Sequence, residues 1–294
     1  MTFVRIDGVA HHVLVEGAGP PCVLSPGLGL CWFDWDPVVR LLAPHRTVVR
    51  FDRPGLGLSG AARAWPTLAG EARRIAAVLG SLGVEGPATV VGHSLAGFHA
   101  EAFARLFPAR TAGLVLVDGS VEEDPRPRRA RAARDAATRA CAAVASATGL
   151  PRVAGPPLRR AVVCAARIGG GEPAPDGAVR RAYSTSRWVR AALAENATYT
   201  DQAVALAALR RRAALPAGLP VTVLAADDPR GPARLRERRL ARQRALAAGL
   251  GGVLRVSAPA GHLVMLDRPE DVADAVLRTG VRPPLVNEER AQGR

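Results

Sequence analysis

The segment Ala88–Gly97, which reads A-T-V-V-G-H-S-L-A-G, constrains the fold of this chain more than any other. Its β-branched residues predict the end of a buried parallel strand, and the residues after it have the spacing of a helix. Ser94 therefore lies on a sharp turn between a strand and a helix, with the small residues Gly92 and Ala96 on either side. Such a turn lifts a serine hydroxyl above the edge of a sheet, where it can act as a nucleophile.

A serine that follows glycine can also serve only as the N-cap of a helix. The strand before Ser94, the helix after it and the small flanking residues favour the nucleophile.

A serine nucleophile needs an imidazole to accept its proton, and the imidazole needs a carboxylate to fix its tautomer. Of the six histidines, His11 and His12 belong to a predicted N-terminal strand and are expected to face solvent.

Four further segments accompany this turn in a characteristic order and spacing. They read S-P-G-L-G from Ser25, F-D-R-P-G-L-G-L-S from Phe51, G-L-V-L-V-D from Gly113 and A-G-H-L-V-M-L-D-R-P-E from Ala260. With these segments the chain resembles the α/β-hydrolase fold over roughly residues 3–277. The resemblance implies an α/β architecture, a mostly parallel eight-stranded sheet with helices on both faces and a helical cap inserted in the middle.

The middle of the chain corresponds to that cap. Between residues 120 and 218, Arg- and Ala-rich helical segments with glycine and proline interruptions replace the β-branched pattern. We expect residues 1–119 and 219–282 to form the α/β core and residues 120–218 to form the helical cap. Residues 283–294 are polar and are expected to form a disordered tail.

The resemblance implies a serine hydrolase in which His262 is the general base. His262 stands in the A-G-H segment after the last predicted strand, on the sheet edge that carries Ser94. The resemblance also implies an oxyanion hole formed by the backbone N–H groups of Leu28 and Leu95. Pro26 replaces the histidine that is usual in the oxyanion loop, but the N–H of Leu28 is retained.

The acid of this triad is less clearly marked. The family most often places it after the seventh strand, where this chain has Pro229, with Asp228 and Asp227 just before it. A second known position lies directly after the sixth strand and holds Asp118. We favour Asp118 as the acid, and Asp228 and Asp227 remain alternatives.

Aromatic residues next to the oxyanion loop predict a substrate pocket. Trp32 and Phe33 follow that loop, and His93 precedes the nucleophile. We expect these three residues to line a mostly apolar pocket, although burial in the core is the commoner fate of aromatic side chains. The Arg-rich insert leaves another possibility, a guanidinium over the site that selects carboxylate-bearing substrates.

Composition limits the partners. The net charge of +14 is the excess of 40 arginines over 26 acidic residues, and the chain contains no lysine. This bias suggests a GC-rich genome more than a selected basic surface. No nucleic-acid-binding module or aromatic stacking platform accompanies the charge, so nucleic acid is not expected as a partner. The absence of an apolar run of about 18 residues and of a signal peptide predicts a cytoplasmic protein without a membrane span. The four cysteines lack metal or disulfide spacing, and no metal or cofactor is expected.

Together these features predict hydrolysis of carboxylic esters or related acyl bonds in a small, mostly apolar substrate, through an acyl-enzyme intermediate. Cofactor-free perhydrolysis in the same site is one alternative. A family member that binds a small molecule without turnover is the other, because the oxyanion loop lacks its usual histidine and the usual acid position holds proline. The sequence does not determine the oligomeric state.

Overall fold

A single sheet of eight strands organises the molecule in this computed structural model, which describes residues 2–279. In chain order the strands are β1 (Thr2–Ile6), β2 (Val9–Glu16), β3 (Pro21–Ser25), β4 (Thr47–Phe51), β5 (Ala88–His93), β6 (Thr111–Val117), β7 (Val221–Ala226) and β8 (Val253–Ser257). They hydrogen-bond in the order β1-β2-β4-β3-β5-β6-β7-β8. Strand β2 is antiparallel to both of its neighbours, and all other pairs are parallel. The predicted eight-stranded, mostly parallel sheet is confirmed, and the predicted tail at residues 283–294 lies outside the described residues.

Ten α-helices occur within residues 2–279, together with short 3-10 helices at Trp32–Trp35 and Pro108–Arg110. The α-helices are α1 (Asp36–Leu42), α2 (Leu68–Ser81), α3 (Ala96–Leu106), α4 (Arg131–Ala147), α5 (Leu150–Ala166), α6 (Asp176–Tyr183), α7 (Ser186–Arg212), α8 (Ala233–Gly249), α9 (Val264–Asp267) and α10 (Pro269–Arg278). No helix in this part of the chain is both long enough and apolar enough to cross a membrane.

Alternate residues of the central strands fill two hydrophobic cores, one on each face of the sheet. On β6, Leu114 and Leu116 belong to the core that includes α2, α3 and α8, whereas Val115 and Val117 belong to the core that includes α1, α9 and α10. Because helices cover both faces, both sets of side chains are apolar and the strands read as continuous apolar runs. Helices on both faces of the sheet confirm the second part of the predicted fold.

The parallel strands end along one edge of the sheet, and the candidate residues lie in the segments that follow them. Ser94 follows β5, Asp118 follows β6, and the loop after β8 carries His262. In open parallel sheets, ligands bind outside the carboxyl ends of the strands. The topology therefore gathers chemically useful side chains from distant parts of the sequence at this edge.

Helices α4–α7, here called the insert helices, lie between β6 and β7 in the segment predicted to be a cap. Helix α7 packs against α2 and α3 of the core and against α4, while α5 packs against α6. The N–H of Leu263 donates to the carbonyl oxygen of Ala166 at the end of α5. The insert helices thus touch the loops at the carboxyl edge of the sheet.

Candidate active site

Ser94 occupies the turn between β5 and α3 in a left-handed backbone conformation, with φ of 52°. The turn requires glycine at Gly92, because a Cβ atom there would lie 2.3 Å from the backbone oxygen of Ala96. The Ser94 N–H donates to the carbonyl oxygen of Val117, and the Ser94 carbonyl oxygen accepts the N–H of Ser120, both at 3.1 Å. These bonds tie the serine to the end of β6 and hold it in a conformation that non-glycine residues rarely adopt.

The structure brings Ser94, His262 and Asp118 into one chain of contacts. Nε2 of His262 lies 3.0 Å from Oγ of Ser94, and Nδ1 lies 2.6 Å from Oδ2 of Asp118. A carboxylate only accepts hydrogen bonds, so Nδ1 carries the proton and Nε2 can accept the proton of the serine. Oδ1 of Asp118 accepts the N–H of Ala226 at 3.1 Å, which fixes the carboxylate against β7. The His262 side chain is 47% exposed and can be reached by a small molecule.

The two alternative acids point to arginines. Asp227 accepts two hydrogen bonds of 2.7 Å from Arg236, and Asp228 accepts bonds of 2.7 to 3.2 Å from Arg230. These hydrogen bonds hold the pKa of both carboxyl groups below its ordinary value. In the part of the chain that the structure describes, Asp118 is the carboxylate that contacts the imidazole of His262.

Two backbone N–H groups stand beside Ser94 without an intramolecular acceptor. The N–H groups of Leu28 and Leu95 donate no hydrogen bond to any residue in the range 2–279. Leu95 also precedes the first turn of α3, where the helix dipole favours negative charge. A Cβ atom at Gly27 would lie 3.2 Å from Cβ of Ser94, so the loop after β3 is packed directly against the serine.

That loop, Pro26–Gly29, is here called the β3 loop, and helix α7 of the insert holds it. Glu195 accepts the N–H of Gly29 on Oε2 at 2.9 Å. The indole N–H of Trp188 donates to the carbonyl oxygen of Gly29 at 3.0 Å. Both polar groups of Gly29 are therefore bound by side chains of one insert helix, and both side chains are buried.

Arg53, in the loop after β4, links Glu195 to the rest of the β3 loop. Its Nε donates to Oε1 of Glu195 at 2.6 Å, and its terminal nitrogens donate to the carbonyl oxygens of Pro26 and Gly27. Burial opposes the charge of Arg53, but attraction to Glu195 and the hydrogen bonds between them raise the pKa of Arg53 overall. The carbonyl groups of Pro26 and Gly27 therefore both point toward the guanidinium of Arg53.

Sequence reasoning missed Glu195. The available signal is its spacing, because Trp188, Ala191, Glu195, Thr198 and Gln202 recur every three or four residues and are all buried. A stripe that includes three polar residues does not have the composition of a buried helix face, so its composition favours a solvent-facing position in spite of the spacing.

The aromatic residues predicted to line the pocket lie one layer deeper. Trp32 and Phe33 belong to a buried cluster, with their ring centroids 4.8 Å apart and Phe33 next to Tyr183 of α6. They are not among the residues that line either cavity described below. Tyr183 and Trp188 stand between them and the cavity, because the insert helices cover the 3-10 helix.

His93, also predicted to line the pocket, is completely enclosed behind Ser94. Its Nε2 donates to the carbonyl oxygen of His262 at 2.9 Å, and its ring centroid lies 4.7 Å from that of His262. Burial lowers the pKa of His93 well below its ordinary value, so the ring is neutral. His93 supports the loop that carries His262 and does not line either cavity.

Two cavities of contrasting character border the site. The apolar pocket, about 400 Å³, is walled by the β3 loop and by the insert helices; its lining includes Leu28, Leu158, Val162, Tyr183 and Trp188. The polar cleft, about 450 Å³, is walled by the segments after β6 and β7, the end of α5 and one face of α8; its lining includes Asp118, His262, Arg239, Arg242 and Gln243. No group of three or more His, Cys, Asp or Glu side chains within residues 2–279 is placed to bind a metal ion.

Comparison with known sequences gives one match that covers most of the chain and several that cover less. Residues 22–275 match the model of the alpha/beta hydrolase family. A protein described as the carbamate hydrolase RutD of Azorhizobium caulinodans is 34% identical over 110 residues, which is 37% of this chain and 41% of that protein. An uncharacterized protein of Mycobacterium tuberculosis is 34% identical over 125 residues, 42% of this chain and 36% of that protein. The chain thus spans well under half the length of these curated relatives.

Solved structures match over nearly the whole chain. Cfl2 of Burkholderia cenocepacia superposes with a TM-score of 0.73 at 19% identity, over 94% of this chain and 93% of that one. A thermophilic esterase of Thermogutta terrifontis gives a TM-score of 0.68 at 24% identity, over 94% and 97%. The enol-lactonase of Burkholderia xenovorans gives 0.63 at 21% identity, over 94% and 98%. At these identities the likeness shows a common fold.

Proposed function

The chain belongs to the alpha/beta hydrolase family, and from that premise we propose that it is a serine hydrolase acting on carboxylic esters or related acyl bonds. The observation that carries the proposal is the chain of hydrogen bonds from Ser94 through His262 to Asp118. A nucleophile, a base and a group that orients the base are the parts that acyl transfer requires. Two N–H groups without acceptors complete the set.

In the acylation step, Oγ of Ser94 attacks the acyl carbon while Nε2 of His262 takes the hydroxyl proton. The carbonyl oxygen becomes an oxyanion that the N–H groups of Leu28 and Leu95 stabilise. The bond from the acyl carbon to the leaving group then breaks, and His262 returns the proton to the leaving oxygen or nitrogen. Asp118 keeps the imidazole in the required tautomer and stabilises the imidazolium that forms.

Deacylation repeats these events with water as the nucleophile. His262 takes a proton from the water molecule as it attacks the acyl-enzyme, and the same N–H groups stabilise the second oxyanion. Collapse of this intermediate breaks the ester bond to Ser94, and the protonated His262 returns the proton to Oγ. The products are a carboxylic acid and the free serine.

The surroundings of the β3 loop favour an apolar acyl group. The acyl oxygen binds at Leu28, and Leu28 also lines the apolar pocket, so the acyl chain lies next to that pocket. A relative named as a carbamate hydrolase and structural neighbours named as an esterase and an enol-lactonase share carbonyl-centred bonds as their targets. These names support hydrolysis of a carbonyl-centred bond as the reaction class of this chain.

Labelling with a fluorophosphonate tests the proposal. Peptide mass spectrometry of the folded protein should find the adduct on Ser94, and Ser94→Ala should give none. Wild type should hydrolyse 4-nitrophenyl butyrate, and Ser94→Ala, with an unchanged circular dichroism spectrum, should not. A folded wild type that gains no adduct and cleaves no ester would refute the proposal and favour a member of the family that binds small molecules without turnover.

A further inference from the structure

We propose that the polar cleft binds a carboxylate carried by the leaving group, so that the substrates are esters of a carboxylate-bearing alcohol or phenol. This inference rests on the proposed function, because it divides the substrate between the cavity that His262 lines and the cavity that Leu28 lines. It is carried by three observations: which groups line the cleft, the charge on its α8 wall, and a buried amide oxygen without a donor.

The lining places the cleft on the side of the leaving group. The oxygen that departs from the acyl carbon must receive its proton from His262. His262 and Asp118 line the polar cleft, and neither lines the apolar pocket. Leu28, which binds the acyl oxygen, lines the apolar pocket and not the cleft. The acyl group and the leaving group therefore meet cavities of opposite character.

Helix α8 gives the cleft a positive wall. Arg236, Arg239 and Arg242 follow one another at a spacing of three residues and all line the cleft. Arg236 is held by Asp227 at 2.7 Å, and the exposed Arg242 is 3.4 Å from Glu123. Arg239 forms no ion pair with any residue that the structure describes. Its guanidinium can offer a bidentate hydrogen bond to a carboxylate.

Each carboxylate that lines the cleft has its own hydrogen-bonded partner. Asp118 is bound to His262 at 2.6 Å, and Asp228 is bound to Arg230 at 2.7 Å. Asp228 attracts Arg239 at longer range but forms no ion pair with it, so the guanidinium keeps its hydrogen-bond donors for a ligand. A leaving group without a carboxylate would not use them.

Gln243, one residue beyond Arg242, adds a neutral contact. Its Nε2 donates to the carbonyl oxygen of Gly119 at 2.7 Å, which fixes the orientation of the amide. Its Oε1 is buried in the cleft wall and has no donor among the residues described. Buried acceptors normally find a donor. An O–H or N–H of the bound leaving group, next to the carboxylate, would supply one.

A matched pair of esters tests the inference. The probes are 4-(butyryloxy)benzoate and its methyl ester, which share the butyryl group and differ by one charge on the leaving phenol. The readout is the ratio of kcat/KM for the anionic ester to kcat/KM for the neutral one, compared between variants so that intrinsic reactivity cancels. Arg239→Gln should lower this ratio about 3- to 10-fold, because one partly screened charge-assisted hydrogen bond is lost.

Arg238→Gln is the control, because Arg238 is an exposed arginine on the same helix that does not line the cleft. It should leave the ratio within about twofold of wild type, and added NaCl should lower the wild-type ratio. Equal ratios in the Arg239→Gln and Arg238→Gln variants, with both esters hydrolysed, would overturn the inference while the proposed function stands.

A binding measurement decides the same question without turnover. In the Ser94→Ala background, NMR titration with 4-hydroxybenzoate should show weaker binding for Ser94→Ala/Arg239→Gln than for Ser94→Ala/Arg238→Gln. Equal affinities would overturn the inference. If wild type cleaved neither ester, the proposed function would fail, and the titration would still report whether the cleft binds a carboxylate through Arg239.

Discussion

Asp118 has the same unusual backbone conformation as Ser94. Their φ angles are 40° and 52°, and they follow the neighbouring parallel strands β6 and β5. A non-glycine residue in this region costs about 1–3 kcal/mol, which the surrounding hydrogen bonds must offset. Both strained residues contact His262, so the strain lies in the two groups on either side of the imidazole.

Replacement of the candidate acid tests this arrangement at a single residue. Asp118→Asn should lower kcat for 4-nitrophenyl butyrate by about 10⁴-fold, because an amide that donates to Nδ1 of His262 leaves the wrong tautomer facing Ser94. Urea unfolding should show that the variant folds. Asp228→Asn, which removes a carboxylate bound to Arg230, should keep kcat within a few-fold of wild type. A large loss in Asp228→Asn with a silent Asp118→Asn would reverse the assignment.

The sequence allows the nucleophile to be proposed because Ser94 follows a strand with a clear apolar pattern, and the base because the segment around His262 resembles the A-G-H segment of the family. For the acid, the sequence favours Asp118 without excluding Asp228, because both follow parallel strands that end at the same edge. Only the structure shows that Asp228 turns toward Arg230, two residues later, and that Asp118 turns toward His262. Side-chain direction after a strand depends on such local contacts, which leave no periodic signal.

At the scale of elements, helix α7 joins the insert to the core through polar contacts. Glu195 reaches Gly29 and Arg53, and farther along the helix Gln202 accepts from Nε2 of His99 at 2.7 Å. All of these side chains are buried. Hydrophobic periodicity predicts the existence of α7 but not which face it buries, because that face is matched to specific polar partners in the core.

Removal of Glu195 should affect both stability and turnover. Glu195→Ala leaves the buried Arg53 without its carboxylate, and we expect the free energy of unfolding to fall by about 3–5 kcal/mol. Gly29 loses an acceptor as well, so kcat should fall more than KM rises. Asp201→Ala on the same helix removes a partly exposed pair with Arg134 and should cost less than about 1 kcal/mol. Urea unfolding and ester kinetics measure these effects, and equal losses in the two variants would contradict the special position of Glu195.

Helix α5 is fastened to the core by a second buried arginine. Arg159 donates to Glu172 at 2.7 Å, to the hydroxyl of Tyr183 at 3.2 Å and to Asp34 of the 3-10 helix. Burial and the attraction of these acids act in opposite directions on Arg159, and the attraction prevails, so its pKa lies above the ordinary value. The buried Arg159 and Arg53 pairs are thus two of several charged attachments between the insert and the core, which also include Arg210–Glu101 and Arg167–Asp267.

Loss of the α5 attachment should be costly. Arg159→Met leaves the carboxylates of Asp34 and Glu172 buried without a cation, and the free energy of unfolding should fall by about 3 kcal/mol or more. Arg160→Met is the neighbouring control, because Arg160 pairs with Asp176 at the surface and should cost less than about 1 kcal/mol. Denaturant titration of both variants checks the difference. Similar unfolding midpoints for the two variants would show that the buried cluster around Arg159 contributes little to stability.

At the scale of the whole molecule, two expectations about the N-terminal strands and the pocket differ from the structure for the same reason. His11 and His12, expected to face solvent, are both buried. The loop after β4 covers His12, with Asp52 2.8 Å from its Nδ1, and α2 covers His11, with Arg74 2.9 Å from its Nε2. Trp32 and Phe33 are covered by the insert. Strand patterns predict the sheet, but the segments that fold back over it are placed by long-range contacts that no local pattern encodes.

Acid should destabilise the fold below neutral pH. Burial lowers the pKa of His11, His93 and His99 from the ordinary value of 6.5, so each is neutral in the native state. Below about pH 6.5 the unfolded chain binds protons that the native state does not, so the free energy of unfolding falls as pH falls. Each such histidine lowers the free energy of unfolding by up to about 1.4 kcal/mol for each unit by which the pH falls in this range.

Urea unfolding at pH 8, 7, 6 and 5.5 measures this dependence. We expect little change from pH 8 to 7 and a progressive loss below about pH 6.5. His99→Gln should show a shallower slope than wild type, because it has one fewer neutral histidine to protonate on unfolding. A free energy of unfolding that is independent of pH between 7 and 5.5 would contradict the burial of neutral histidines.

The hydrogen bonds from α7 to Gly29 limit how the helical segment of this molecule can be exchanged for that of a relative. Here the segment from residue 120 to residue 218 carries Trp188 and Glu195, which bind the peptide groups beside the serine. A donor segment that lacks these two side chains would change the groups that face the substrate and, in the same exchange, release the β3 loop that carries the proposed oxyanion donor Leu28.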